Sequence, residues 1–313
     1  MEASSHGLDQ YRLDGVRVSA AGFTNLTRDH LDYHGTMEAY LAAKLRLFSD
    51  VLVPGGVAVV NADSQFCDTI TEACQARGIC VITYGREGRA IQLLDVTPTG
   101  AGQVIDVVIL DKHYRITVPL AGSFQVMNAL CAAGLALASG IDAPAAVSAL
   151  ENLKGVPGRL ELVGSRRNGA SVYVDYAHTP DALETALTAL RPHTSKRLAI
   201  VFGAGGDRDA GKRPLMGRAA ADHADDVYVT DDNPRSENAA SIRAQIIAAC
   251  SDAKEISDRA EAIETAIASL RSGDTLLIAG KGHETGQIIG DTVLPFDDRA
   301  TALKSLDQLD QMS

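Results

Sequence analysis

The sequence lacks the features that mark secreted and membrane-spanning proteins. Its five cysteines are odd in number and form no C-x-x-C pair, which argues against a disulfide framework or a structural zinc site and favours a reducing compartment. No stretch approaches the run of about 18 apolar residues that a membrane helix needs. The N-terminus also has no basic and apolar regions of a signal peptide. We therefore expect a cytoplasmic protein without membrane insertion.

Positive charge is also scarce. Lysine and arginine number 29 against 40 aspartate and glutamate residues, which gives a net charge of −11. Because a phosphate backbone attracts proteins with a surplus of cations, the sequence argues against a nucleic-acid partner. With 46% apolar and 22% charged residues among 313, the composition is that of a globular protein that can bury two medium-sized cores.

Hydrophobic periodicity predicts a first region with a parallel sheet. A helix over 65–77 lies between β-branched runs at 57–61 and 79–84, which is the signature of a βαβ crossover. Three alternating runs between 91 and 120 predict a small antiparallel excursion. The other predicted features are a helix over 36–48 in a unit that ends at Pro54-Gly55-Gly56, and Ala-rich helices over 123–139 and 143–153.

The segment from Lys154 to Gly158 is predicted to link two domains, because two glycines flank a proline and strands resume after it. We place the domains at 1–157 and 158–313. Beyond the linker, strands and helices alternate as in a Rossmann-like doubly wound α/β domain, in which ligands bind at the carboxyl ends of the strands. The predicted strands are 171–176, 198–202, 227–230 and 275–279, and the predicted helices are 181–191, 212–224, 239–249 and 259–270.

Two of the loops after these strands suit an amino-acid ligand. The glycine-rich turn over 203–209 lets backbone approach a ligand and presents Arg208, although a turn with solvated charges fits the same residues. The string Asp232-Asn233-Pro234-Arg235 aims an acid, an amide and a guanidinium outward. An arginine fork matches a carboxylate, while Asp and Asn can hold an ammonium group. A capped turn entering the next helix is the alternative.

The other two loops add ionisable groups at the same strand ends. Gly280-Lys281-Gly282-His283-Glu284 follows the strand at 275–279, and Asp175 and His178 follow the strand at 171–176. If His178 is considered without its neighbours, a histidine with a purely structural role explains it. Because four polar loops are expected to converge on one crevice, a binding site is the better hypothesis.

The first region carries side chains that could bind a metal. The string from Asp29 to His34 offers acids and histidines on a loop, and Lys44 follows on the next predicted helix. Such groups suit Mg²⁺ when phosphate oxygens complete its octahedral shell. An ordinary exposed helix lysine is the alternative reading of Lys44.

Taken in order along the chain, these strings resemble the Mur ligase family, most closely its meso-diaminopimelate-adding branch. The matching segments are 1–8, 24–35, 40–44, 158–161, 174–181, 205–217, 230–235 and 279–284. They extend over nearly the whole chain. The resemblance implies an α/β protein with part of the central ATPase domain followed by the whole C-terminal domain.

The resemblance also implies roles for individual residues. Glu2 and His30 resemble the family's magnesium ligands, and Lys44 resembles the lysine that becomes carbamylated, which converts a cation into an anion able to support Mg²⁺. Residues that resemble contacts to the UDP-linked peptide are Ser4, Gln10 and Arg12. Residues that resemble positions around the nucleotide are Asn128, Arg159, Asp175 and His178. Residues that resemble the diaminopimelate site are Arg208, Asp232, Asn233, Pro234, Arg235, Gly280 and Glu284.

The implied reaction is ATP-dependent amide formation in peptidoglycan synthesis. ATP would phosphorylate the terminal carboxylate of UDP-N-acetylmuramoyl-L-alanyl-D-glutamate, and the amine of meso-diaminopimelate would attack the acyl phosphate, with Mg²⁺ and cationic side chains stabilising the phosphoryl group. Arg235 points to diaminopimelate over L-lysine, because the distal carboxylate needs a cationic fork. We expect a monomer.

The family's phosphate-binding loop, G-x-x-G-K-[ST], does not occur in the chain. We expect it upstream of Met1 in a longer gene product, together with the domain that grips the UDP group. Tight ATP binding by the 313 residues alone is then not expected. Two alternatives remain open: a non-catalytic amino-acid-binding module, which would not need Glu2, His30 and Lys44, and a related polyglutamate-adding or cyanophycin-making ligase, which the Asp-Asn-Pro-Arg string disfavours.

Overall fold

The computed structural model describes residues 1–27, 30–100 and 102–311. Contacts divide the chain into two compact units, of which the first comprises 1–97, 104–118 and 123–153 and the second comprises 98–103, 119–122 and 154–313. The principal division, between Leu153 and Lys154, borders the segment predicted to be a linker. The domain limits of 1–157 and 158–313 remain a prediction. Within the described ranges no helix has the length and apolar character needed to cross a membrane.

The first part of the chain folds around a six-stranded sheet. Its elements are α1 (Ser5–Asp9), β1 (Val18–Phe23), α2 (Leu31–His34), α3 (Met37–Arg46), a π-helical turn (Leu47–Val51), β2 (Leu52–Asn61), α4 (Cys67–Gln75), β3 (Cys80–Gly85), β4 (Ile91–Thr99), β5 (Gly102–Ile109), β6 (Lys112–Val118), α5 (Ser123–Ala138) and α6 (Ala143–Leu150). The strand order follows the chain from β1 to β6. Because β2 and β3 pair in parallel across α4, the predicted βαβ crossover is confirmed.

One prediction in this region was wrong. Pro54-Gly55-Gly56 lies inside β2 and does not end a unit. The register against β1 moves from Val18↔Leu52 to Ala20↔Val57, so a bulge in β2 takes up the proline and the glycines. A bulge tolerates proline because its residues need not donate to the ladder. The pairing of β2 with β3 begins only after the bulge, at Val57.

The second unit is a doubly wound α/β domain, as the sequence predicted. Its elements are β7 (Glu161–Ser165), β8 (Ser171–Asp175), α7 (Pro180–Leu190), a 3₁₀ turn (Arg191–His193), β9 (Leu198–Phe202), α8 (Lys212–His223), β10 (Asp226–Val229), α9 (Ala239–Ile247), β11 (Lys254–Glu255), α10 (Arg259–Ser269), β12 (Thr275–Ala279), β13 (Gly286–Ile289), β14 (Thr292–Pro295) and α11 (Asp298–Gln311). The main sheet has the order β11-β10-β9-β12-β8-β7. All its neighbours pair in parallel except β7 with β8.

Helices cover both faces of this sheet. One apolar cluster packs α7, α8 and α9 on one face, and a second packs α10 and α11 on the other. The chain winds outward from β9 to β11 and then returns to β12, which lies between β9 and β8. A reversal of this kind opens a crevice at the carboxyl ends of the strands, where α/β proteins bind their ligands. The loops after β8, β9, β10 and β12 lie at this edge of the sheet.

Candidate functional site

The structure joins the four polar loops of the second unit. The Gly206 N–H donates to the Asn233 carbonyl at 2.9 Å and thereby ties the loop after β9 to the loop after β10. Lys212 Nζ, at the start of α8, donates to the His178 carbonyl at 2.9 Å, which links the end of the loop after β9 to the loop after β8. The rings of Tyr176 and His283 lie 5.8 Å apart and connect the loops after β8 and β12. The loops therefore form one polar surface, and their role in binding remains a prediction.

A buried ion pair forms the floor of this surface. Lys281 is 0% exposed and Asp232 is 6% exposed. Lys281 Nζ lies 3.6 Å from Asp232 Oδ1 and donates to the Gly286 carbonyl at 2.8 Å. Burial lowers the pKa of Lys281, and the Asp232 carboxylate partly offsets that effect. Lys281 belongs to one of the predicted candidate loops, but its sequence context indicated no role for it.

Asn233 does not fit the predicted role of an ammonium acceptor. Its Oδ1 already accepts two hydrogen bonds, from Lys281 Nζ at 2.8 Å and from the Ile288 N–H at 2.9 Å. A carbonyl oxygen has two lone pairs, so this one is saturated. Its Nδ2 donates to Glu284 Oε2 at 3.2 Å. Asn233 therefore offers N–H donors, and the carboxylates of Asp232 and Glu284 are the groups able to hold an ammonium.

Arg235 is held in an unusual backbone conformation. Its φ of 50° lies in the left-handed region, which is costly for a residue with a Cβ. Its N–H donates to the Ile288 carbonyl at 3.1 Å, and its carbonyl accepts from the Gly290 N–H at 2.8 Å. Arg235 Nη1 donates to the Gly206 carbonyl at 2.8 Å. The guanidinium is thus anchored on one side by backbone.

Small residues let the loops approach each other. Gly280 has a φ of 117°, and a Cβ built on it would lie 2.8 Å from Asp232 Oδ2. A Cβ on Gly205 would lie 2.8 Å from Arg235 Nη1 and 3.9 Å from Arg208 Cγ, so two arginines flank this glycine. Arg208 is exposed and donates to the Asp207 carbonyl at 3.0 Å. Pro234 is buried beside Asn233. The two arginines and two carboxylates thus occupy one surface.

A second buried ion pair, between Arg259 and Asp298, supports the crevice. Both side chains are 0% exposed, and Arg259 donates to Asp298 through Nε and Nη2, each at 2.7 Å. Arg259 Nη2 also donates to the Ala279 carbonyl at 2.9 Å, at the end of β12. The pair holds the start of α10, the end of β12 and the start of α11 together. No sequence motif pointed to either residue.

The Asp175 carboxylate is held by backbone hydrogen bonds. Its two oxygens accept from the Leu160 and Ala177 N–H groups, each at 2.7 Å. Burial raises the pKa of Asp175, although these two hydrogen bonds act in the opposite direction. The Arg159 guanidinium lies 5.0 Å from the Tyr176 ring centroid, and His178 Nδ1 lies 2.9 Å from the Tyr176 carbonyl oxygen. The predicted nucleotide positions of the second unit are thus adjacent, and their nucleotide role remains a prediction.

In the first unit, Lys44 and Glu2 line one cavity of about 470 Å³. Lys44 Nζ donates to the Ala3 carbonyl at 3.2 Å. Burial lowers the pKa of Lys44, while Glu2 acts to raise it. A lowered pKa increases the fraction of neutral amine, which is the form that reacts with carbon dioxide. The environment therefore fits the predicted carbamylation, which remains a prediction.

His30 lies among rings. Its ring centroid is 5.0 Å from that of His6 and 5.9 Å from that of Tyr40. Across residues 1–27, 30–100 and 102–311, no group of three His, Cys, Asp or Glu side chains has an arrangement that could hold a metal ion. Asp29, part of the predicted metal-capable string, lies outside the described residues. The assignment of Glu2, His30 and carbamylated Lys44 to magnesium remains a prediction.

The remaining predicted residues of the first unit are placed by local contacts. Ser4 caps α1, since its Oγ accepts from the Gly7 N–H at 3.0 Å. Gln10 Oε1 accepts from Arg12 Nε at 3.0 Å, and Gln10 Nε2 donates to the Tyr33 hydroxyl at 3.0 Å. Asn128 lies exposed on α5 beside Gln125. These contacts leave their predicted substrate and nucleotide roles untested.

Comparison with known proteins identifies two domain families in the chain. The family described as "Mur ligase middle domain" matches residues 1–136, and the family described as "Mur ligase, glutamate ligase domain" matches residues 158–282. The two matches lie on either side of the predicted linker. Both agree with the α/β architecture of the structure.

Two relatives of known sequence and one of known structure share a single name. The chain is 58% identical over 309 residues to the UDP-N-acetylmuramoyl-L-alanyl-D-glutamate--2,6-diaminopimelate ligase of Bradyrhizobium diazoefficiens, a match covering 97% of this chain and 64% of that protein. It is 55% identical over 310 residues to the ligase of that name from Caulobacter vibrioides, covering 99% and 64%. A solved structure of a ligase with that name superimposes with a TM-score of 0.77 at 39% identity, covering 98% of this chain and 64% of that chain. The chain therefore spans just under two thirds of the length of these relatives, and it belongs to the Mur ligase family.

Proposed function

We propose that the chain belongs to a ligase that joins meso-diaminopimelate to UDP-N-acetylmuramoyl-L-alanyl-D-glutamate. Its second unit selects the amino acid that is added. The observation that carries the proposal is the charge pattern after β10 and β12. The Arg235 guanidinium and the Arg208 side chain flank Gly205, and the carboxylates of Asp232 and Glu284 lie beside Gly280 and Asn233. This pattern complements a ligand with separated carboxylates and an ammonium group.

The names of the relatives support the following reaction. The γ-phosphoryl group of ATP passes to the terminal carboxylate of the dipeptide substrate, which gives an acyl phosphate and ADP. The amine of diaminopimelate then attacks the acyl carbon, the bond from carbon to the phosphate oxygen breaks, and an amide and inorganic phosphate form with release of a proton. Preorganised cations stabilise the charge that develops on the phosphoryl group.

The use of ATP and Mg²⁺ is part of the proposal. A related fold, the MurF ligase of Thermotoga maritima, was solved in complex with ADP, which supports a nucleotide substrate. We assign the nucleotide surroundings to Asn128, Arg159, Asp175 and His178. We assign Glu2, His30 and carbamylated Lys44 to magnesium, and Ser4, Gln10 and Arg12 to the UDP-linked peptide.

Calorimetric titration of the 313-residue chain with meso-diaminopimelate and with L-lysine tests the proposal. We expect saturable binding of diaminopimelate and at least about tenfold weaker binding of L-lysine. The reason is that L-lysine lacks the distal carboxylate, and a hydrogen bond to a charged group contributes about 1.5–3 kcal/mol. A cooperative thermal unfolding transition of the same sample serves as the control for folding. Equal affinity for the two amino acids, or no binding by the folded chain, would contradict the proposed amino-acid specificity.

A further inference from the structure

We propose that Lys281 is a positioning residue that fixes the side-chain amide of Asn233, so that Asn233 presents an N–H donor to the distal carboxylate of the amino acid. The inference rests on the proposed function, because it names how the same site recognises its ligand. In this proposal Lys281 influences ligand binding without contacting the ligand. Lys281 acts from beneath the binding surface.

The buried ammonium of Lys281 is committed to protein acceptors. Its Nζ donates to Asn233 Oδ1 at 2.8 Å and to the Gly286 carbonyl at 2.8 Å, and it lies 3.6 Å from Asp232 Oδ1. An ammonium group has three N–H donors. Three oxygens therefore surround its donors, and the side chain is 0% exposed. Lys281 is thus placed to organise the site and not to bind the substrate itself.

The orientation of the Asn233 amide follows from donor and acceptor chemistry. The two groups that face one end of the amide, Lys281 Nζ and the Ile288 N–H, can only donate. That end must be the oxygen, because an NH₂ group there would face two donors. The other end is the NH₂ group, which donates to Glu284 Oε2 at 3.2 Å. An NH₂ group has two donors, so one remains for a ligand oxygen.

The charge of Lys281 also improves Asn233 as a donor. A cation on the carbonyl oxygen polarises the amide and strengthens the hydrogen bonds that its NH₂ group donates. Without the cation, rotation of the amide by a half turn would be opposed only by the Ile288 N–H and the Glu284 carboxylate, and a flipped amide would present its oxygen to the ligand carboxylate. Two acceptors repel, so the flipped state would reject the ligand. Lys281 therefore acts on selectivity for a ligand with a distal carboxylate.

The position of Asn233 identifies which part of the ligand it recognises. Asn233 and Arg235 leave the same loop after β10, and Arg235 Nη1 lies 3.5 Å from the Asn233 carbonyl oxygen. Both residues offer N–H donors, and Arg235 is the group expected to bind the distal carboxylate. Asp232 and Glu284 accept an ammonium instead. L-lysine has the ammonium group but lacks the distal carboxylate. Its affinity therefore does not depend on the residues that bind that carboxylate.

The test is a set of calorimetric titrations of the 313-residue chain with meso-diaminopimelate and L-lysine. Lys281→Met keeps an unbranched side chain as far as the ε position and removes the N–H donors. We expect the Kd for diaminopimelate to rise about tenfold or more and the Kd for L-lysine to change by less than about threefold, because one charge-assisted hydrogen bond is at stake only for the former. Lys281→Gln, which keeps a donor, is expected to restore part of the loss.

A double-variant cycle separates positioning from general damage. If Lys281 acts through Asn233, adding Lys281→Met to Asn233→Ala leaves the Kd for diaminopimelate unchanged within about twofold. Additive losses, or equal losses of both amino acids in Lys281→Met, would overturn the inference. Should Lys281→Met fail to unfold cooperatively, the cycle is run with Lys281→Gln under the same criteria. A wild-type chain that does not prefer diaminopimelate would overturn the proposed function, and the role of Lys281 with it.

Discussion

Replacing Arg235 with alanine is expected to weaken binding of meso-diaminopimelate by about 10- to 100-fold. A charged hydrogen bond contributes about 1.5–3 kcal/mol, and each 1.4 kcal/mol is a factor of about ten in affinity. Arg235 Nη1 is already bound to the Gly206 carbonyl at 2.8 Å, which limits the freedom that the guanidinium must lose when a ligand binds. Binding of L-lysine is expected to change little. Calorimetric titration measures both values.

The backbone of Arg235 supplies a control for this experiment. Its φ of 50° is strained for alanine as it is for arginine, whereas glycine adopts such a conformation without strain. Arg235→Gly should therefore be at least as stable as Arg235→Ala in thermal unfolding, yet bind diaminopimelate equally poorly. If Arg235→Ala retained wild-type affinity, or if the glycine variant recovered it, the guanidinium would not be the group that binds the distal carboxylate.

Replacing Asp298 with alanine is expected to lower the free energy of unfolding by about 3–5 kcal/mol. Removing one partner of a buried ion pair leaves the other charge without compensation in a medium of low polarity. Asp298 and Arg259 are both 0% exposed and share two hydrogen bonds of 2.7 Å. Chemical denaturation with urea, followed by circular dichroism, measures the change.

The neighbouring residue provides a matched control. Arg299 pairs with Glu161 at 2.8 Å, but the Arg299 side chain is 53% exposed. Exposed pairs contribute at most about 1 kcal/mol, so Arg299→Ala should be nearly neutral. Replacing both buried partners, as in Arg259→Met with Asp298→Leu, should recover part of the stability lost in Asp298→Ala because no uncompensated charge remains. A loss below about 1 kcal/mol in Asp298→Ala would contradict the assigned role of the pair.

The parts of the fold that the sequence predicts well are those whose pattern is local. β9 and β12 coincide with the predicted bounds of 198–202 and 275–279, because every residue of each strand is buried and all but Thr275 are apolar. The edge strand β7 was missed, since only one of its five residues is buried and its pattern is weak. The β13–β14 hairpin was missed for a related reason, because much of its surface is exposed.

For the site, as for the fold, local sequence patterns were informative, whereas contacts between residues far apart in the sequence were not predictable. The order of polar loops along the chain was enough to place Asp232, Asn233, Arg235 and Glu284 on one surface. The orientation of the Asn233 amide was not predictable, because it depends on contacts with Lys281 and Ile288, 48 and 55 residues away. The Arg259–Asp298 pair joins residues 39 apart that no motif connects. Distant pairs of this kind emerge only from the folded chain.

A crystal structure of the chain with meso-diaminopimelate would show directly whether the loops after β10 and β12 bind this amino acid. We predict that the distal carboxylate lies within hydrogen-bond distance of the Arg235 guanidinium and Asn233 Nδ2, and that the neighbouring ammonium contacts the Asp232 or Glu284 carboxylate. Lys281 should remain bound to Asn233 Oδ1 without contacting the ligand. An amino acid bound in the reverse orientation, with its ammonium at Asn233, or bound away from these loops, would contradict the account.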